Sequence, residues 1–159
     1  MNHILGEELM QEIPVVIRRR VKWGECDPAG VVYTPVFAEY AVSAFQAFLS
    51  CVFGDPLQEK LMALDLNTPV RALSFDFQRS LYPDQWFDMK VWLCEVRTTT
   101  FAVQVVATDA SGAQVMTADL TAICIHYAER KSRPVPAELR ERLEAYRRRC
   151  ATTMEGPGA

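Results

Sequence analysis

Histidine is almost missing from this chain: His3 and His126 are the only two among 159 residues. With His3 in the opening stretch, no pair of imidazoles is available to hold a metal beside nearby carboxylates. Cys-x-x-Cys pairs are lacking as well, and the five cysteines, at 26, 51, 94, 124 and 150, show no regular spacing. The N-terminus has no basic region followed by an apolar one, carrying Glu7, Glu8 and Glu12 instead, so no signal peptide is expected. The cysteines are therefore expected to be reduced thiols of a cytoplasmic protein. No apolar run approaches the ~18 residues that would suggest a membrane span. Nor is there an excess of positive charge; the formal net charge of −3 argues against nucleic acid as a partner.

What is present is ordinary for a globular protein, with 50% of residues hydrophobic and 23% charged. The length suits one domain with a sizeable core. Residues 1–14 are expected to be a loose leader or to hold a short amphipathic turn, residues 15–149 to form the single domain, and residues 150–159 to be a disordered tail.

The most informative stretch runs from Trp23 to Phe53. Asp27-Pro28-Ala29-Gly30 predicts a turn, because Pro fixes its own φ, Gly supplies positive φ and Asp bonds its own backbone. Thr34-Pro35 predicts a helix start, with Thr34 as N-cap and Pro35 at the first helical position. From Val36 onward, Phe37, Tyr40, Ala41, Ala44, Phe45, Phe48 and Val52 recur at helical spacing. Glu39, Ser43, Gln46 and Ser50 confine the polar residues to one narrow stripe. A helix so apolar must be largely enclosed, and Gly54-Asp55-Pro56 ends it.

Around this helix the apolar period is near two. Val15, Ile17, Val21 and Trp23 share one face of a strand whose arginines, Arg18 to Arg20, are expected to be solvated. After a short second helix over Leu57 to Leu66, four further strands follow, marked by Leu73/Phe75/Phe77, Phe87/Met89/Val91/Leu93, Phe101/Val103/Val105/Ala107 and Met116/Ala118/Leu120/Ala122/Cys124/His126. Asp109-Ala110-Ser111-Gly112 predicts a hairpin turn, and the short connections require antiparallel pairing. Leu139, Leu143 and Tyr146 lie on one stripe of a charged terminal helix ending in Arg147-Arg148-Arg149, expected to be a solvated helix end. One enclosed helix and one sheet with room to curl around it define an α+β layer architecture.

The segment Glu25-Cys26-Asp27-Pro28-Ala29-Gly30-Val31-Val32-Tyr33 closely resembles the signature of the 4-hydroxybenzoyl-CoA thioesterase family, and the likeness extends over Val15 to Tyr127. The resemblance implies the hotdog fold, a long central helix wrapped by a curved antiparallel sheet. It also implies a homodimer or homotetramer with acyl-CoA bound between subunits, and no metal or redox cofactor. Asp27 would be the catalytic nucleophile or general base, and the backbone amides of Asn67 and Thr68 from a facing subunit would hold the oxyanion. Tyr33 matches an aromatic position of the acyl pocket. Thr34 stands where relatives often carry Tyr or His, and Arg97, Thr98 and Thr99 fall on the relatives' basic cluster for the nucleotide phosphates.

That chemistry agrees with the residues. A thioester needs a base or nucleophile at its carbonyl and a donor for the oxyanion, and an aspartate can attack the carbonyl or deprotonate a water. Backbone N–H groups at a helix start suit the oxyanion. The other candidates read as structural: Glu39 as a solvated or interface residue of the polar stripe, His126 as a hydrogen-bonded core histidine, Cys26 as a packed thiol. Two further readings stay open, a thioesterase for an acyl carrier protein and a non-catalytic protein that binds acyl-CoA.

Overall fold

A computed structural model describes residues 6–154. The elements in chain order are β1 (Glu7–Glu12), β2 (Val15–Arg20), a 3-10 turn (Trp23–Glu25), α1 (Val36–Phe53), α2 (Leu57–Ala63), β3 (Val70–Phe77), β4 (Trp86–Val96), β5 (Thr100–Asp109), β6 (Gln114–Ile123) and α3 (Ala137–Met154). One six-stranded antiparallel sheet, in the order β1-β2-β4-β5-β6-β3, packs its inner face on α1. This is the α+β hotdog architecture.

The central helix runs over the bounds its periodicity predicts. Phe37, Tyr40, Ala41, Ala44, Phe45, Phe48, Leu49, Val52 and Phe53 are buried, whereas Glu39 and Gln46 of the polar stripe are exposed. Phe45 leans on Phe101 of β5 with ring centroids 6.0 Å apart, and Phe48 meets Tyr146 of α3 edge-on at 4.9 Å. Tyr146 then locks α3 to the sheet: its hydroxyl accepts from Val15 N–H at 2.8 Å and donates to the Val91 carbonyl at 2.7 Å. Length and apolarity alone would let α1 cross a membrane, contrary to the expectation that no stretch does; half of it is buried as the core helix of this domain. Gly54, at φ 92°, closes it by donating N–H to Ser50 at 2.7 Å.

Several expectations are corrected. Part of the supposed leader is a strand, since Glu7–Glu12 pairs with β2 and forms an edge of the sheet. At the other end, α3 continues to Met154 and buries Cys150, so the residues from 150 to 154 are helical, and residues 155–159 lie outside the described residues. The first inner strand stops at Arg20, and Trp23 is exposed in the 3-10 turn that follows. Arg19 is not solvated: it shares the inward parity of Val15, Ile17 and Val21, and its side chain is 16% exposed. Thr34 does not cap α1, which begins at Val36 after a cap position held by Pro35 without any side-chain bond. The second helix ends at Ala63.

Candidate active site

The signature segment folds into a closed loop between β2 and α1. Cys26 and Val32 form an antiparallel bridge, Asp27 N–H donates to the Val31 carbonyl at 2.9 Å, and Tyr33 N–H donates to the Glu25 carbonyl at 2.9 Å. Within the loop, Gly30 N–H returns to the Asp27 carbonyl at 2.9 Å, with Gly30 at φ 81°, where a side chain would be strained. Asp27 Oδ1 accepts from Ala29 N–H at 2.9 Å. The other carboxylate oxygen has no partner among the described residues, and the side chain is half-buried. Asp27 thus caps its own turn with one oxygen and leaves the second available.

The start of α1, into which the loop leads, supplies a further donor. Val36, Phe37 and Ala38 give their N–H groups to the carbonyls of Tyr33, Thr34 and Pro35 at 2.9, 3.2 and 3.1 Å. Pro35 has no N–H, and the Tyr33 amide is taken by Glu25. The Thr34 amide is left without an acceptor among the described residues, at the positive end of a long helix. Trp23 and Tyr33, at either end of the loop, have exposed aromatic rings, as does Tyr82 in the neighbouring segment that Val32 N–H holds by donating to the Leu81 carbonyl at 2.9 Å.

Behind the loop lies a charged cluster. Arg19 reaches Glu25 at 3.3 Å and Glu7 at 2.6 Å. Burial, and then the hydrogen bond and charge of Glu25, push the Tyr40 hydroxyl well above the ordinary phenol range. The Cys26 thiol is also pushed up, by burial and then by the charges of Glu25, Asp27 and Asp84, the reverse of what a nucleophilic thiolate requires. Parity with three buried neighbours was the sequence signal for Arg19; its charge argued the other way.

The remaining predicted residues gather elsewhere. Ile123 N–H donates to the Pro69 carbonyl, Asn67 and Ile125 exchange both backbone bonds at 2.9 and 3.0 Å, and Cys124 N–H donates to the Thr99 carbonyl at 2.8 Å. Asn67, Thr68 and the Arg97–Thr99 turn therefore flank the same segment beyond β6. The Asn67 amide, expected as an oxyanion donor, is consumed by Ile125, while the Thr68 amide donates only to the Asn67 side-chain oxygen at 2.9 Å. Arg97 is exposed and paired with Glu95 at 2.9 Å. Thr98 is exposed and Thr99 half-buried. Arg140 of α3 donates to the Arg97 carbonyl at 2.6 Å, and Arg130 and Lys131 are exposed on the loop after β6. Nothing in their spacing along the chain signals that these cations share this end of the fold.

His126 is a further correction: it lies past the end of β6, half-exposed, with Nδ1 2.7 Å from Asp65. No hydrogen bond or ion pair among the described residues joins the Asp27 group to the Asn67 group. Phe77 at the end of β3 packs on Phe37 at 5.1 Å, whereas Thr68 and Pro69 precede the start of β3. The two groups are thus separated by the length of that strand, roughly 25 Å at about 3.3 Å per residue.

A six-stranded sheet wrapped on one long helix, with a carboxylate in the loop that leads into that helix, defines a hotdog-fold protein. The chain belongs to the thioesterase-like superfamily, whose family model matches residues 21–143. No curated protein matches it. Among solved structures it is similar to a thioesterase superfamily protein from Jannaschia sp. CCS1, at 25% identity and TM-score 0.77, over 89% of this chain and 97% of that one. It is also similar to Slr0204, a 1,4-dihydroxy-2-naphthoyl-CoA thioesterase from Synechocystis, at 23% identity and TM-score 0.71, over 80% and 93% of the two chains. A mutant 4-hydroxybenzoyl-CoA thioesterase complexed with 4-hydroxybenzoyl-CoA gives 19% identity and TM-score 0.72, over 80% and 96%.

Proposed function

We propose that this protein hydrolyses an acyl-CoA thioester to the free acid and CoA, with Asp27 as nucleophile or general base. The observation that carries the proposal is a half-free Asp27 carboxylate in the loop that leads into α1, whose start leaves the Thr34 amide unpaired among the described residues. A thioester carbonyl placed with its oxygen on Thr34 N–H would be polarised there, and the developing oxyanion stabilised by the helix start. The free Asp27 oxygen would then either attack the carbonyl carbon or take a proton from the water that does so; the C–S bond breaks and CoA leaves as thiolate. On the first route water opens the resulting Asp27–acyl anhydride to release the acid and restore Asp27. The exposed rings of Trp23, Tyr33 and Tyr82 favour an aromatic acyl group. No cofactor is assigned a step.

The protein would act as a homodimer, or as a homotetramer of such dimers, joined along the open edge of β3. A two-fold axis through paired antiparallel copies of β3 brings the beginning of one strand to the end of the other. Thr68 of the partner subunit would then approach the Asp27 loop, with its amide a second donor to the thioester. The partner's end of the fold bearing Arg97, Thr98, Thr99, Arg130 and Lys131 would receive the nucleotide phosphates. We place the protein in the cytoplasm, consistent with five free cysteines.

Asp27→Asn tests the mechanism. Asn keeps the oxygen that accepts Ala29 N–H and so preserves the turn, but it loses the charge. Thiol release from an aromatic acyl-CoA should fall roughly 10²–10⁴-fold with folding unchanged; turnover at the parent rate would overturn the role of Asp27. A carrier-protein thioester is the second reading, favoured by the commitment of Arg97 to Glu95 and by the uncharged Thr98 and Thr99. Comparing turnover of the two thioester classes separates them. Tight acyl-CoA binding with no thiol release from the parent protein would mark a non-catalytic binder.

A further inference from the structure

The cluster behind the Asp27 loop has no part in the thioester chemistry, yet it grips the base of that loop. Glu25 is the gripping point: its carbonyl accepts Tyr33 N–H at 2.9 Å, and its carboxylate accepts Lys22 N–H at 3.0 Å and Arg19 Nη2 at 3.3 Å. The other arm of Arg19 donates to Glu7 of β1 at 2.6 Å, and the Ser43 hydroxyl of α1 donates to the same carboxylate at 2.6 Å. The guanidinium lies over the Tyr40 ring, 4.7 Å from its centroid. The side chains of Arg19 and Glu25 are 16% and 12% exposed. Arg19 Nε is sealed from solvent without a hydrogen-bond partner.

A guanidinium so enclosed, with Nε already unpartnered, depends on its carboxylates, because an uncompensated charge here is costly. Glu25 depends on Arg19 in turn. Without that cation two carboxylates, Glu25 and Asp27, would repel each other across Cys26, and the loop would relax. Arg18 provides the contrast. It sits in the same strand as Arg19 but forks onto Asp88 of β4 at 2.8 and 3.0 Å, with no bond toward the loop.

We propose that Arg19 is a positioning residue: acting through Glu25, it fixes the loop of residues 25–33 and thereby aims the Asp27 carboxylate at the thioester. The aim matters only if Asp27 is the reacting carboxylate, so the proposal rests on that reading. Misplacing a reacting group by about an ångström can cost up to ~10²-fold in rate.

The test compares Arg19→Gln, Glu25→Gln, their double variant and Arg18→Gln, with benzoyl-CoA as the probe and amide hydrogen exchange as a second readout. Arg19→Gln and Glu25→Gln should each lower kcat roughly 10–100-fold with KM little changed. The double variant should fall no further than the worse single, because both act along one route. Exchange at the Asp27 and Tyr33 amides should quicken roughly tenfold in the same variants, while α1 and β4 keep their protection. Arg18→Gln should change neither readout. If Arg19→Gln does not fold, Glu25→Gln carries the same expectations. Unchanged exchange at Asp27 and Tyr33 in these variants would overturn the proposal, as would additive losses in kcat. Parent-rate turnover by Asp27→Asn, with the exchange effects intact, would instead overturn the reading of Asp27 and leave Arg19 as a loop anchor only.

Discussion

β1 and β3 close the sheet at opposite edges, and both leave backbone N–H and C=O groups along one side without a strand to receive them. β1 spends half its length on Glu7, Glu8 and Glu12, and all of it is exposed. A second copy laid beside it would meet like charges, one of the ways in which a sheet edge is closed to pairing. β3 has no such guard. Its inward positions Leu73 and Phe75 are half-buried, and Phe77 remains 46% exposed although it stacks on Phe75 and touches Phe37. Among the described residues one edge is guarded and the other is open, so the open edge is where the proposed dimer would join. The Asp27 loop and the Thr68 end of the fold lie at opposite ends of that same strand, and a symmetric partner would unite them.

The contrast between edges presumes a rigid body between them, and Phe45 tests that body. Phe45 is 4% exposed and packs against Phe48 and Phe101. Phe45→Ala should destabilise the domain by about 3–5 kcal/mol through lost burial and a residual cavity. Chemical denaturation with dilution controls should assign that loss to the protomer. If the loss appeared only in the monomer–dimer equilibrium, the core would be less independent of its edges than the packing implies.

A matched pair of substitutions addresses the edges directly. Leu9 on β1 and Phe77 on β3 are 45% and 46% exposed. Phe77→Glu should raise the dimer dissociation constant roughly 10²-fold, about 2.7 kcal/mol, because it forces a carboxylate into the interface. Turnover should fall with it, as the proposed shared site requires. Leu9→Glu should leave assembly as it was. Sedimentation across a dilution series reads both. Equal effects from the two would erase the distinction between the edges, and a reversed order would move the partner to β1.

How much of this could be read in the sequence follows the same division. α1 and the Asp109–Gly112 hairpin were legible because each is written locally, one in a helical period and the other in turn residues. β1 was not, because Glu-Glu-Leu-Met-Gln-Glu is exposed on both faces and has no alternation for burial to impose. The Asp27 loop was legible, since Asp-Pro-Ala-Gly encodes its own turn. The Asn67 amide was misjudged because its acceptor, Ile125, is remote in sequence, just past β6, the strand that pairs with β3. Arg19 was misjudged for a related reason. Its parity pointed inward, but the carboxylates that make burial tolerable lie on β1 and in the 3-10 turn.

Acid should produce the smallest of these effects, as at Asp65 near the β3 end. Asp65, shortly before β3, has its carboxylate 2.7 Å from His126 Nδ1 and accepts Tyr127 N–H at 3.0 Å. The hydrogen bond from His126, then that from Tyr127, then the charges of His126 and Arg133 hold its carboxyl below the usual range. A depressed folded value means that the deprotonated form favours the folded state. The stabilisation is therefore complete above the unfolded value, near pH 4, and is lost as pH falls through the lower folded value. Exposure and salt screening keep it small. Asp65→Asn should lower Tm slightly near neutral pH, and the gap to the parent should shrink as pH drops below about 4. Thermal melts of the two proteins from neutral pH into acid would measure that gap. A gap that stayed constant across the range would mean that Asp65 contributes through its hydrogen-bonding shape, which Asn retains in part, and not through its charge.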